Sequence, residues 1–326
     1  MSDERIQISN YLQLQNVLER MVETGTTRNV ISVEAYDAGT LNADFVSAVE
    51  KLKDTHPIAA YAVDQITCEA GTIAGGSVLV IQISYLHNRS QISKIITVKD
   101  NAAAMEVVYE ALAEFREIVL LKIEDYRVTD FSQAVEAYAQ ENPDIVMEVP
   151  RVVEGVYPKT GSARLVELTF HYQTSRDDMK VMQDVVAPIF NAAVLDASNG
   201  KTNYEKYARL YTFLMNRYVY TIEPTTTPAF SLLYHGIGDS KAFAQVYAAI
   251  CRRAGLECIL VTGTRDGQEW YWNIIRYEGA YYHMDLLRCI EEGRFDALAD
   301  GDMTGYVWNY SAYPDCGFKE NMSAEK

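Results

Sequence analysis

The stretch His235-Gly236-Ile237-Gly238-Asp239-Ser240, taken with Trp270-Tyr271-Trp272-Asn273 and Tyr282-His283-Met284-Asp285, decides the fold of this chain. After Ser240, the residues Phe243, Val246, Tyr247 and Ile250 recur at helical spacing, and Gly255 stands where a left-handed residue ends a helix. Ser240 is thus expected at the first turn of a buried helix. A strand over 257–263 follows, then a hairpin of 270–277 with 280–287 around Glu278-Gly279. A two-residue turn there sets Ile274 opposite His283 and Trp272 opposite Asp285, with Trp270 diagonal to Asp285. Trp270, Trp272, His283 and Asp285 then share one face of the hairpin, an arrangement that a one-residue slip would break.

A helix that carries a nucleophile position, followed by two adjacent strands that carry a base and its orienter, is the order of the papain-like Cys, His, Asp triad. In these segments the chain resembles the core domain of the transglutaminase-like superfamily, over residues 202–316. Bacterial members carry Gly-x-Gly-Asp-Cys-Lys before a helix that ends Ala-Gly-Ile-Glu-Cys, where this chain has Gly236 to Lys241 and Ala254 to Cys258. They then carry His-x-Trp-Asn and Tyr-His-x-Asp, matched by Trp270 to Asn273 and Tyr282 to Asp285. The ending, Asp302 to Tyr306 and Tyr313 to Cys316, also looks like the close of that domain.

The departures matter more than the agreements. The position that resembles the nucleophilic Cys is Ser240, the position that resembles the His base is Trp270, and Asp285 alone is retained. A serine hydroxyl stays protonated near neutral pH and needs a base as it attacks, whereas a thiol at a helix N-terminus gains thiolate character. An indole nitrogen only donates, so Trp270 cannot take that proton. The resemblance therefore implies a pseudoenzyme, catalytically inactive, that binds a peptide, protein or cell-wall-type ligand. Its candidate cleft residues are Ser240, Trp270, Trp272, His283, Asp285, Asp239 and His235. Two alternatives remain: a serine-dependent hydrolase or acyltransferase that pairs Ser240 with a relocated His283 or His235, and a structural or assembly protein whose cleft has collapsed.

The first half reads as a duplicated α+β module. Asp44 to Glu50 matches Asp130 to Glu136, Pro57 matches Pro143 at the same offset, and Tyr85 matches Tyr172 one residue later. Each copy, about 9–86 and 100–172, reads as helix, strand, helix, strand, strand. In the first copy the helix is 9–23, the strand 29–36, the second helix is capped by Asn42, and the hairpin is 58–68 with 77–86 across Gly71 to Gly76. In the second they are 100–116, 117–126, a helix capped by Thr129 or Asp130, and 145–157 with 163–172 across Pro158 to Gly161. Domains are accordingly expected at 1–175 and 201–316, joined by a helix over 176–195 that Pro188 interrupts and a linker ending at residue 200. A polar, mobile tail is expected at 317–326.

Composition narrows the function classes. The chain has 326 residues, 29 Lys plus Arg against 45 Asp plus Glu, a net charge of −16, and 48% apolar residues. Such an acidic globular protein repels a phosphate backbone, so nucleic acid is not an expected partner. No apolar run reaches the roughly 20 residues of a membrane helix, and residues 1–11 are too polar for a signal peptide. Membrane insertion is not expected; the cytoplasm is the default compartment, and an extracellular one follows if a leader was trimmed. Cys68, Cys251, Cys258, Cys289 and Cys316 show no metal-type spacing, so no metal, cofactor or disulfide framework is expected. The 23 tyrosines suit a binding surface as well as a core.

Overall fold

The computed structural model describes residues 5–222 and 225–317. It divides into two compact units. Of the described residues, the first comprises those up to Ala111 with Arg116–Phe131 and Val152–Phe170, and the second comprises Leu112–Phe115, Ser132–Arg151 and those from His171 on.

In the first unit α1 (Tyr11–Glu23) starts where the Asn10 side chain accepts the Gln13 N–H at 3.0 Å. It buries Leu14, Val17, Leu18, Met21 and Val22, one stripe at helical spacing. Then come β1 (Arg28–Ser32), α2 (Leu41–Thr55), the short α3 (Pro57–Ala62), and the hairpin β2 (Val63–Ile73) with β3 (Gly76–Tyr85). A turn at Ala74-Gly75, both with positive φ, closes that hairpin. After α4 (Arg89–Ile92) follow β4 (Ile96–Asp100), α5 (Asn101–Ala113), β5 (Ile118–Asp125), β6 (Arg151–Tyr157) and β7 (Arg164–His171), while α6 (Phe131–Glu141), between β5 and β6 in the chain, is part of the second unit from Ser132 on. One sheet has the order β1-β3-β2 and the other β4-β5-β7-β6. In both, the central strand is the third of its set and the second lies at the edge. In both, a segment before the first helix runs parallel to the first strand: β4 beside β5, and Gln7 bridged to Ser32 beside β1. Leu120 and Leu165 share one core with Ile31, Leu79, Ile81 and Ile83.

Several boundaries differ from those expected. The second helix begins at Leu41 after Thr40, so Asn42 lies inside it and caps nothing. Residues 57–62 are helical, because Pro57 suits a first turn and the His56 ring accepts the Ala59 N–H at 3.3 Å. Gly71 is part of β2, which runs on to Ile73. Residues 145–149 form turns and irregular chain instead of a strand, and they pack with the second unit: Asp144 pairs with Arg252 at 3.1 Å and Arg253 at 3.2 Å, and Met147 joins the second core. Pro188 does not interrupt its helix. That helix, α7 (Arg176–Ala197), is unbroken because Pro188 is exposed while Met179, Val186, Phe190 and Ala193 bury the opposite stripe. It is part of the second unit rather than a connector, with Asp196 at its end paired to Arg209 at 2.9 Å. Of the expected tail, residues 318–326 lie outside the described residues.

The second unit continues with α8 (Asn203–Met215), β8 (Val219–Tyr220), α9 (Pro228–Phe230) and a π-helical turn over Ser231–His235. Then come β9 (Ile237–Gly238), α10 (Ser240–Arg253), β10 (Cys258–Arg265), β11 (Gln268–Tyr277), β12 (Ala280–Met284), α11 (Leu286–Glu292) and β13 (Tyr306–Trp308). Its sheet has the order β12-β11-β10-β13, while β8 and β9 pair in parallel. From Ala242 to Cys251 every residue of α10 is buried, which small side chains at Ala242, Ala244, Ala248 and Ala249 make possible. Its Phe243, Val246 and Ile250 each contribute about 1.5–3 kcal/mol by leaving water. Gly255, at φ +73°, ends it. Among the described residues no helix is long and apolar enough to cross a membrane.

The sheet of the second unit is packed to contact at Gly263 of β10. A Cβ there would press into the Val307 carbonyl and come within 2.7 Å of the Trp272 ring. Gly263→Ala is expected to cost about 1–3 kcal/mol by overpacking, read as a lower denaturant midpoint followed by tryptophan fluorescence.

Candidate functional site

Ser240 is the first residue of α10, placed there by Asp239, whose Oδ1 accepts the Ala242 N–H at 2.9 Å. Ser240 is 7% exposed, and its Oγ accepts the Tyr271 backbone N–H at 3.3 Å. Pairing of β11 with β12 sets Ile274 opposite His283 and Asn273 opposite Met284, the expected register. The ladder ends there, and Asp285 leaves the strand to cap α11, its Oδ1 accepting from Leu287 N–H at 3.0 Å and Arg288 N–H at 3.3 Å.

Asp285 Oδ2 accepts two further bonds, from Trp270 Nε1 at 2.8 Å and from the Tyr306 hydroxyl at 2.6 Å. Arg265 stands 3.8 Å from the same oxygen and 2.6 Å from Glu291 Oε2. Its guanidinium lies 5.3 Å from the Trp270 ring and 5.6 Å from the Tyr306 ring. Burial, and then the neighbouring Asp285 charge, push the Tyr306 phenol far up, so it stays a donor. Four donors around a carboxylate only 3% exposed are what a buried charge needs. Trp270, 9% exposed with Tyr220 against it at 5.8 Å, holds the place where the resemblance puts the base.

His283 is occupied as well. Its Nδ1 accepts from Trp272 Nε1 at 2.9 Å, which assigns the proton to Nε2, and Nε2 donates to Asp300 Oδ1 at 2.9 Å. Neither nitrogen is left to accept a proton from Ser240. His235 is exposed, with its ring against Phe230 and Tyr234. Among the described residues no imidazole is hydrogen-bonded to Ser240. The structure thus joins Trp270 to Asp285 and Trp272 to His283 on one hairpin, and leaves His235 apart from both pairs.

One mixed cluster was not expected from cysteine spacing: His283, Asp300 and Cys316 bring three potential metal-ligating atoms within 4.8 Å of one another. The donor set does not fit an ion. Coordination at Nε2 would need that nitrogen deprotonated, and the proton would then meet the Trp272 N–H at Nδ1. Burial, with the Asp300 and Asp315 charges beside it, pushes the Cys316 thiol up to about 12, far from a thiolate. Asp300 instead bridges the His283 ring and the Cys316 N–H, the latter at 2.9 Å.

Arg265, Tyr220 and Asp300 gave no sequence signal, because nothing local shows which strand or loop delivers a partner to Asp285 or His283. Tyr306 lay in the segment that resembles the close of the family domain, without a role attached to it.

Burial lowers the His283 pKa below its usual 6.5, with Asp300 opposing in part. The unfolded chain takes up a proton as pH falls through 6.5 while the folded chain resists it, so stability is complete above that pH and declines beneath it. All three tryptophans lie in the second unit, so fluorescence-detected urea unfolding between pH 7.5 and pH 5 reads this unit; His283→Gln is expected to flatten the decline. Trp270→Phe deletes one donor to Asp285 and is expected to cost about 1–3 kcal/mol by the same measurement.

Residues 192–318 match the family described as the transglutaminase-like superfamily. None of the curated proteins matches the chain. Among solved structures, a TGase is similar at 8% identity over 67% of this chain and 63% of its own, with a TM-score of 0.30. A candidate cysteine protease from Cytophaga hutchinsonii is similar at 15% identity over 48% of this chain and 70% of its own, TM-score 0.28. A candidate protease from Parabacteroides distasonis is similar at 8% identity over 68% of this chain and 35% of its own, TM-score 0.26. The chain thus spans less than two thirds of the TGase's length. The matched residues 192–318 hold α10, β11 and β12 in the motif order that resembles the transglutaminase-like superfamily.

Proposed function

We propose that the second unit is a catalytically inactive transglutaminase-like domain that binds a peptide or protein segment. The observation that carries this reading is the 2.8 Å bond from Trp270 Nε1 to Asp285 Oδ2. An indole N–H satisfies the carboxylate that the family uses to orient an imidazole, yet offers no lone pair to accept a proton. Ser240 is left an unactivated alcohol, and loss of one triad member already costs several powers of ten in rate. The relocated-histidine alternative is opposed by His283, whose two nitrogens are engaged. Binding is supported by the surface beside Trp270, where Tyr220 touches the indole yet is 39% exposed and Val219 and Ile222 face solvent.

A structural or assembly role is the second reading, favoured by the burial of both Ser240 and Trp270. We also read the first half of the chain as the product of a duplication, on the shared strand order of its two sheets and the sequence match between 44–50 and 130–136.

Three measurements separate these readings. A serine-reactive phosphonate at high concentration is expected to leave Ser240 unlabelled; labelling that Ser240→Ala abolishes would restore the hydrolase. The double variant Ser240→Cys with Trp270→His is expected to be alkylated by iodoacetamide at neutral pH at least about tenfold faster than Ser240→Cys alone. Peptides of varied sequence and cell-wall fragments are expected to raise the melting temperature in a manner weakened by Tyr220→Ala. Absence of any shift leaves the structural role.

A further inference from the structure

The helix that bears Ser240 also walls a cavity of about 210 Å³, together with Pro143, Val146, Met147 and Glu148. Asp239 and Lys241, on either side of Ser240 in sequence, line it, and so does Gln245 one helical turn beyond Lys241. Its volume falls below the 300–1,000 Å³ of a drug-sized site and suits a group the size of one amino acid.

Two buried polar side chains in this cavity are incompletely used. Glu148 is 3% exposed; its Oε1 accepts the Gln173 N–H at 2.6 Å and its Oε2 the Thr174 N–H at 3.0 Å. Each oxygen keeps room for another donor, and among the described residues no cation is bonded to it. Among the described residues no ion pair joins Lys241 to Glu148, and the Lys241 ammonium stands 5.3 Å from the centre of the Tyr271 ring. A buried carboxylate without a counter-charge is costly, so the cavity favours a cation. Gln245 is also 3% exposed, and among the described residues its carboxamide has no hydrogen-bond partner. A carboxamide offers one acceptor and one donor group side by side, the complement of a peptide amide.

We infer that this cavity takes the ammonium end of a peptide, with the α-ammonium on Glu148 and the first amide on Gln245. The apolar wall of Pro143, Val146 and Met147 receives the first side chain. Asp239 also lines the cavity, but it is half-buried where Glu148 is 3% exposed, so Glu148 is the carboxylate that gains more from a counter-charge. This assignment rests on the reading that the domain binds peptides and gives that ligand a polarity.

Calorimetric titration of the full chain with alaninamide tests it. Alaninamide is expected to bind saturably, and N-acetylalaninamide, which lacks the charge, about tenfold or more weaker. Gln245→Leu is expected to weaken alaninamide binding while the tryptophan-detected melting temperature of the free protein stays near that of the unaltered chain. Glu148→Gln, if folded by the same criterion, is expected to abolish the preference for the charged compound. No heat with alaninamide, equal binding of both compounds, binding unchanged in Gln245→Leu, or preference for Nα-acetyl-lysinamide would each overturn the assignment. Peptides that stabilise the protein while alaninamide gives no heat would remove the cavity site and leave the peptide reading intact. Alaninamide binding lost in Gln245→Leu, with no peptide stabilising the protein, would keep the site and remove that reading.

Discussion

The carboxylate of Asp285 is the constraint around which the second unit is arranged. Buried beside the end of β12, it must be surrounded by donors, and it collects four of them from three elements: Trp270 on β11, Tyr306 on β13, and the Leu287 and Arg288 backbone N–H groups of α11. Arg265 on β10 adds positive charge from the side. Strand order and helix start are thereby tied to one side chain. In this setting a tryptophan at position 270 is chemically coherent, because a ring N–H pointing at Asp285 fulfils the structural half of an imidazole's role and omits the half that moves protons.

The same division appears at His283. Enclosed by Trp272, Trp308 and Asp300, it has a fixed tautomer and stays neutral through burial. Its place on the hairpin face, next to Asp285, makes it a natural candidate for catalysis when only the sequence is read. Its hydrogen bonds make it a brace between the hairpin and the segment that carries Asp300. Such fully satisfied polar networks specify one packing of a core more sharply than apolar contacts do.

α10 serves two surfaces at once. One side sets Ser240 under the Tyr271 backbone, and Lys241 and Gln245 wall the cavity toward 143–149. The helix is buried from Ala242 to Cys251 because alanines at 242, 244, 248 and 249 let the sheet and the other helices approach it closely. The ion pairs of Asp144 with Arg252 and Arg253 hold the 143–149 segment to the far end of the same helix. A stretch that by chain order belongs to the first half is in this way built into the second core.

Periodic and local features were legible from the residues alone. The Ser240 helix, its end at Gly255, the two-residue turn at Glu278-Gly279 and the pairing of Ile274 with His283 follow from spacing and turn chemistry, which act over a few residues. Ser240, Trp270 and Asp285 at the positions that resemble the triad were legible too, since they are matters of residue identity. What the sequence left open was set by contacts distant along the chain: the turn over 145–149 in place of a strand, the unbroken helix through Pro188, and the arrival of Arg265, Tyr306 and Asp300 at their partners. Local propensity at those places is weak or adverse, and burial against a distant core outweighs it. The sequence by itself determined that an indole, and not an imidazole, stands at position 270. Only the tertiary structure decided which donors satisfy Asp285 and which polar groups remain unpaired, because a hydrogen bond depends on distance and direction that residue order does not contain.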